Sequence, residues 1–220
     1  MNRSHKTIVY GAVEGLVDEA VFRVLVHLAG GAHGPVFGRH GKEYLRKNLA
    51  GYNLAAQTAP WVVLVDLDHD SDCPPPFRNS WLPNPSSSMC FRIVVREVEA
   101  WLLADRERIA NYLGIPRRLV PSEPELVHDP KKLMIRLAMH SRHRRIRYEM
   151  VPHPGSGREV GPAYNSRLIE YVENKNRGWR PEIAARHSES LARCMHRLNN
   201  LLKQNIDNRT VIRSPEVAYY

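Results

Sequence analysis

The stretch Trp61–Val62–Val63–Leu64–Val65–Asp66–Leu67–Asp68 constrains this chain more than any other. Five apolar residues in succession, four of them Val or Leu, read as a strand buried on both faces. Such strands belong to parallel sheets covered by helices. The run ends on two carboxylates two residues apart, and in an extended strand those side chains share one face. Asp68, His69, Asp70, Ser71 and Asp72 then read as a loop. Ligands of open α/β sheets sit beyond the carboxyl ends of the strands. Asp66 and Asp68 thus occupy the position where such folds do chemistry, and two adjacent hard oxygen ligands suit Mg²⁺ or Mn²⁺. The plain alternative is that Asp66 caps a turn and Asp68 faces water.

The rest of the chain supports an α/β class with a mainly parallel, helix-flanked sheet. Thr7–Val13 reads as a first strand ending at Glu14–Gly15. The 3.6-residue spacing of Val17, Ala20, Val21, Val24, Leu25 and Leu28 then predicts a helix closed by Gly30–Gly31. Glu14 is therefore also a carboxylate at the end of a strand, with Asp18 one helical turn away. Pro35–Phe37 reads as a short strand, 42–59 as a helix stopped by Pro60, and Met89–Val95 as another strand. The proline- and serine-rich segment 70–88 reads as a loop, a flap over the site. The order over 7–105 is thus β–α–β–α–β–β–α. A helix from Arg96 carries Glu97 and Glu99 past a third strand end; two residues apart at a helix start, they are expected to point in different directions. Beyond it the chain reads as helical: 106–113, 130–142, 164–172, 181–185, and a last helix capped by Ser188. The divisions expected are a core over 1–110, a helical basic portion over 111–204 packed on it, and a tail over 205–220.

Charge matters because it is uneven. The net charge is +9, yet residues 1–100 carry ten Lys/Arg against ten Asp/Glu, and residues 101–220 carry twenty-two against thirteen. An acidic site in a neutral half beside a basic half suits a polyanionic partner, nucleic acid. The candidate phosphate contacts are Lys131, Lys132, Arg136, Arg142, Arg144, Arg145 and Arg147, with Arg39 and Lys42 in the glycine-rich turn 38–42. That turn is not a Walker A loop, because Val36 stands where the first glycine belongs. No apolar run of about eighteen residues predicts a membrane span, and the N-terminus is not a secretory signal. Three scattered cysteines, Cys73, Cys90 and Cys194, point to a reducing cytoplasm rather than a disulfide framework. With no CxxC pair, His69, Cys73 and Cys90 do not read as a zinc site.

Glu14–Gly15–Leu16–Val17–Asp18, followed some fifty residues on by Asp66–Leu67–Asp68 after an apolar strand, resembles the Toprim domain of topoisomerases, DnaG-type primases and OLD-family nucleases. Glu97–Val98–Glu99–Ala100–Trp101–Leu102–Leu103–Ala104–Asp105 resembles a segment of small Toprim-like proteins related to RloB and OLD nucleases, often encoded beside ATPases and suspected in defence against phage. The resemblance covers most of 7–110. It implies a Toprim-like Rossmannoid sheet and a nuclease that hydrolyses phosphodiester bonds of DNA or RNA with Mg²⁺ or Mn²⁺. Glu14 would act as general acid/base, Asp66 and Asp68 would hold an ion, and Asp18 with Glu97 or Glu99 would hold a second. A basic residue from outside these motifs would assist, with Arg96, Lys131 and Lys132 as candidates. Nucleic acid, a partner ATPase and a second copy of the chain are the partners considered. The competing readings are a non-catalytic nucleic-acid-binding or regulatory subunit, and a haloacid-dehalogenase-type phosphatase. The latter fits less well, because its DxD usually stands on the first strand and Asp70 replaces its usual Thr or Val.

Overall fold

The structure, a computed structural model, describes residues 6–68, 70 and 73–212, with the backbone alone over 206–212. His69, Ser71 and Asp72 of the expected loop lie outside the described residues. The elements are β1 (Ile8–Val13), α1 (Leu16–Leu28), β2 (Ala32–Gly38), α2 (Lys42–Ala55), β3 (Trp61–Asp66), α3 (Pro74–Trp81), β4 (Met89–Val94), α4 (Val98–Ala104), α5 (Arg106–Leu113), α6 (Pro130–Met139), α7 (Arg144–Met150), α8 (Tyr164–Glu173), α9 (Pro181–Ala184) and α10 (Glu189–Ile212). The four strands are all parallel in the order β2-β1-β3-β4.

The sheet separates two cores because successive side chains of a strand point to opposite faces. Trp61, Val63 and Val65 pack with Leu45 and Leu49 of α2 and Phe77 of α3. Val62 and Leu64 join Phe22 and Leu25 of α1, Trp101 of α4 and the helices that follow. That second core runs unbroken from Val9 to Leu202, so the C-terminal helices share it with the sheet. Each large side chain buried there contributes about 1.5–3 kcal/mol. Two polar clusters pin these helices. Asp105, fully buried, caps α5 through the Arg108 N–H and takes a forked pair from Arg180. Glu125 accepts from the Ser188 hydroxyl and the Ser190 N–H at the start of α10.

The class and the parallel sheet agree with the sequence reading, and several bounds differ. Segment 70–88 is not all loop: α3 lies between β3 and β4, giving β–α–β–α–β–α–β–α. Parallel neighbours require such a crossover. Its prolines sit in the first turn, where a missing N–H costs nothing. β2 is longer than 35–37; Pro35 is tolerated in this edge strand beside an irregularity in register. The helices that read as 42–59 and 130–142 stop at Ala55 and Met139, and the one expected from Arg96 begins at Val98. α10 continues to Ile212, past residue 205 where the apolar period fades. No helix of the described residues is long and apolar enough to cross a membrane.

Gly38 shows how tightly the strand ends are drawn together. Its φ is +88°, and a Cβ there would stand 2.2 Å from the Val13 carbonyl oxygen. Only glycine fits, and the turn it makes brings the start of α2 over the end of β1.

Candidate active site

Because β1 and β3 are neighbours, Glu14 and Asp66 meet at the carboxyl edge of the sheet. Glu14 Oε1 accepts a hydrogen bond from the Asp66 backbone N–H at 2.7 Å. Asp18, in the first turn of α1, is buried beside them, at the positive end of the helix dipole. A Cβ on Gly15 would stand 3.0 Å from Asp18 Oδ2, so the glycine leaves room for that carboxylate to fold back. Asp18 Oδ1 and Asp66 Oδ1 are both shut off from solvent without a hydrogen-bond partner. Buried polar atoms are nearly always paired, so two orphaned carboxylate oxygens in one cluster call for a proton or a cation.

Glu97 and Glu99 do not diverge as the spacing suggested. Both converge on Lys131, in the first turn of α6, which packs on α4. Glu97 Oε1 lies 2.9 Å from Lys131 Nζ, and its Oε2 accepts the Lys131 backbone N–H at 2.9 Å. Glu99 Oε1 lies 4.0 Å from the same ammonium and accepts the Tyr164 hydroxyl at 3.0 Å. Glu97 precedes the helix in extended backbone and Glu99 lies within it, so helical spacing does not apply to the pair.

Asp68 also departs from expectation. β3 ends at Asp66, and Asp68 has φ +47°, so strand alternation no longer sets its direction. Its carboxylate pairs with Lys42, which lies 2.7 Å from Asp70 as well. Arg96 fastens this turn: it accepts the Asp68 N–H at 2.8 Å and donates to the Asp68 carbonyl at 3.0 Å. Among the described residues, Arg39, Asp68 and Arg96 are the non-glycine residues with positive φ. Each lies just past the carboxyl end of a strand, and strained backbone of this kind gathers at functional sites.

The electrostatics follow from burial and crowding. Burial raises Glu14 to about 7, against the pull of the Asp66 N–H and Lys42, with Asp18 and Asp68 adding to the rise. Burial raises Asp18 to about 6 and Glu99 to about 7. Asp66 is pushed well above the ordinary carboxylate range, first by burial and then by the charges of Asp18, Glu14 and Glu99. Burial lowers Lys131, but Glu99 and Glu97 outweigh it and keep the ammonium protonated.

The other candidate contacts are dispersed. Arg39 lies 3.3 Å from Glu19, Lys132 2.8 Å from Asp129, and Arg145 2.8 Å from Glu149. Arg147 donates to the Ser141 carbonyl. Arg136, Arg142 and Arg144 are exposed. Of the basic residues weighed for a role at the carboxylates, Lys131 reaches them by its side chain, while Lys132 turns outward. Tyr164 carries no signal in the sequence, since only the packing of α8 brings it to Glu99.

All the donors here are hard oxygens, which suits Mg²⁺ or Mn²⁺, and the orphaned oxygens of Asp18 and Asp66 have the chemistry such an ion requires. Among the described residues, no three His, Cys, Asp or Glu side chains are already drawn up to hold a metal ion. Lys42 and Lys131 engage Asp68 and Glu97 instead. Compared with family models, with curated proteins and with solved structures, the chain matches none.

Proposed function

We propose that this protein is a divalent-metal-dependent phosphodiesterase acting on nucleic acid, a nuclease of Toprim-like type. The observation that carries the reading is the pair of buried, unpartnered carboxylate oxygens, Asp18 Oδ1 and Asp66 Oδ1. They lie among further carboxylates at the strand ends where α/β sheets bind ligands. Asp66, Asp68 and Glu14 are the residues to hold Mg²⁺ or Mn²⁺, and Asp18 with Glu97 or Glu99 those to hold a second ion. When bound, such an ion supplies Lewis acidity at the phosphoryl oxygens and neutralises their charge.

The chain's own groups account for the rest. Glu14, with a carboxyl that titrates near neutrality, can take or give a proton at its Oε atoms. Lys131 presents a fixed positive charge beside Glu97 and Glu99, where charge develops on a phosphoryl group. Lys42 holds Asp68 and Asp70 in place on the opposite rim. The same two ion pairs favour the second reading, a nucleic-acid-binding subunit without turnover, because they occupy Asp68 and Glu97.

Cleavage of plasmid DNA and of total RNA with Mn²⁺, wild type beside Asp66→Asn and Glu14→Gln, separates the two. Cleavage by the wild type that both substitutions abolish establishes the nuclease. No cleavage, with salt-sensitive binding intact, leaves the binding subunit.

A further inference from the structure

A carboxylate cluster repels a polyanion, so a strand placed at this site needs cations close by to hold it. They lie along the outer edge of β4, the last strand of the sheet. Two cavities of about 290 and 270 Å³ follow that edge, bordered by α3 and α10, and both are lined by Arg78, Phe91 and Arg92. Arg193 lines one and Arg197 the other. One end reaches Val95, two residues before Glu97, and Pro74, just past the turn that carries Asp68 and Asp70. The groove therefore begins within a few residues of Glu97 and of Asp70 in the chain.

Arg197 donates to the Ser87 and Met89 carbonyls, and the charge of the other three arginines is only partly compensated. Arg92 Nε is shut off from solvent with no hydrogen-bond partner, a desolvated donor with nothing to receive it. Arg78 donates to the neutral Asn79 side chain. Among the described residues Arg193 pairs with Glu189, on the surface, where an ion pair is weak and readily exchanged. The other carboxylate in the lining, Glu125, is committed to the start of α10. Pro74 and Pro75 supply apolar wall against which a base can lie.

We infer that this arginine-lined groove binds the phosphate backbone of a single nucleic-acid strand running from the carboxylate cluster along the edge of β4. The inference rests on the reading of that cluster as a site for nucleic acid. The phosphates meet Arg193 in the cavity that reaches Val95, Arg78 and Arg92 where the two cavities join, and Arg197 in the farther one.

The test is fluorescence anisotropy of a labelled single-stranded 12-mer, DNA and RNA, on the full chain in EDTA across a salt series. Arg92→Gln and the double variant Arg78→Ala/Arg193→Ala are compared with Arg118→Ala on another surface, and circular dichroism verifies the fold. The double variant is expected to bind about tenfold more weakly, and its salt slope to shrink by about 1.4, the value for two single-strand phosphate contacts. Wild-type affinity and slope in the groove variants, or an equal loss in Arg118→Ala, overturns the inference. Tighter displacement of the 12-mer by a mononucleotide than by an unlabelled strand also overturns it, because the phosphate is then that of a free nucleotide. An acidic peptide that competes as well as the strand does the same, and makes the β4 edge a protein-docking site. Binding needs no turnover, so the two readings fail separately. If the wild type does not cut but the variants lose binding, the groove stands and hydrolysis falls. If the wild type cuts and the variants bind and cut as it does, the groove alone falls.

Discussion

The carboxylate of Glu14 accepts a 2.7 Å hydrogen bond from the backbone N–H of Asp66. This bond joins two strand ends that lie fifty-two residues apart in the chain. It holds one carboxylate while Asp66 Oδ1 beside it is left without a partner. The site is thus organised around negative charge that the protein itself does not fully neutralise, and the predictions below follow from that imbalance.

Asp66→Asn exchanges a buried carboxylate, crowded by Asp18 and Glu14, for a neutral amide that can donate to them. The metal-free variant is expected to melt a few degrees above wild type at pH 8, while Mn²⁺-dependent cleavage falls at least about 100-fold. Differential scanning fluorimetry and a cleavage gel, run on one preparation, check both. A variant less stable than wild type at pH 8 contradicts the repulsion.

The pH dependence has a definite sign. A carboxyl whose folded pKa is raised binds its proton more tightly folded than unfolded. Its contribution is most favourable below the ordinary carboxylate range and declines until pH passes the folded value. Asp18 is raised to about 6, and Glu14 and Glu99 to about 7. The metal-free protein should therefore lose this contribution between about pH 4 and 7.5, and saturating Mg²⁺ or Mn²⁺ should remove most of that loss. Calorimetry across this range, with and without the ion, measures it; equal slopes in the two series count against ion binding here.

Lys131→Met leaves Glu97 and Glu99 without their common cation. The pair is only partly exposed to water, so the loss should be about 1–2 kcal/mol, below that of a fully buried pair. Glu99→Gln should cost less, because the amide oxygen still accepts from Tyr164. Urea unfolding of the two variants at pH 7.5 gives the comparison, and a larger loss from Glu99→Gln would reverse the roles.

Gly38→Ala places a methyl 2.2 Å from the Val13 carbonyl at a φ of +88°. Strain and overlap together should destabilise the protein by about 3 kcal/mol or more. The effect should reach the site as well, since Gly38 ends the strand paired with Val13, one residue before Glu14. Equilibrium unfolding quantifies the first effect, and weakened Mn²⁺ binding by calorimetry reports the second.

The amino-acid sequence by itself determined the α/β class, the main strands and the carboxylates at their ends. Those features follow from local pattern: the apolar run 61–65, the 3.6-residue period of α1, and the glycine after Glu14. It was misleading where local signals conflicted. The prolines of 74–76 look like a loop and in fact open α3, and the alternation assumed for Asp66 and Asp68 breaks at a positive φ. Tertiary structure alone decided that β1 lies beside β3, which brings Glu14 to Asp66. It also decided that Lys131 joins Glu97 to Glu99, that Tyr164 reaches Glu99, and that arginines from α3, β4 and α10 line one groove. The physical reason is that periodicity encodes which face of an element is buried, but not which element will cover it. Charged side chains find their partners only once the two cores have packed and set the distances between the helices.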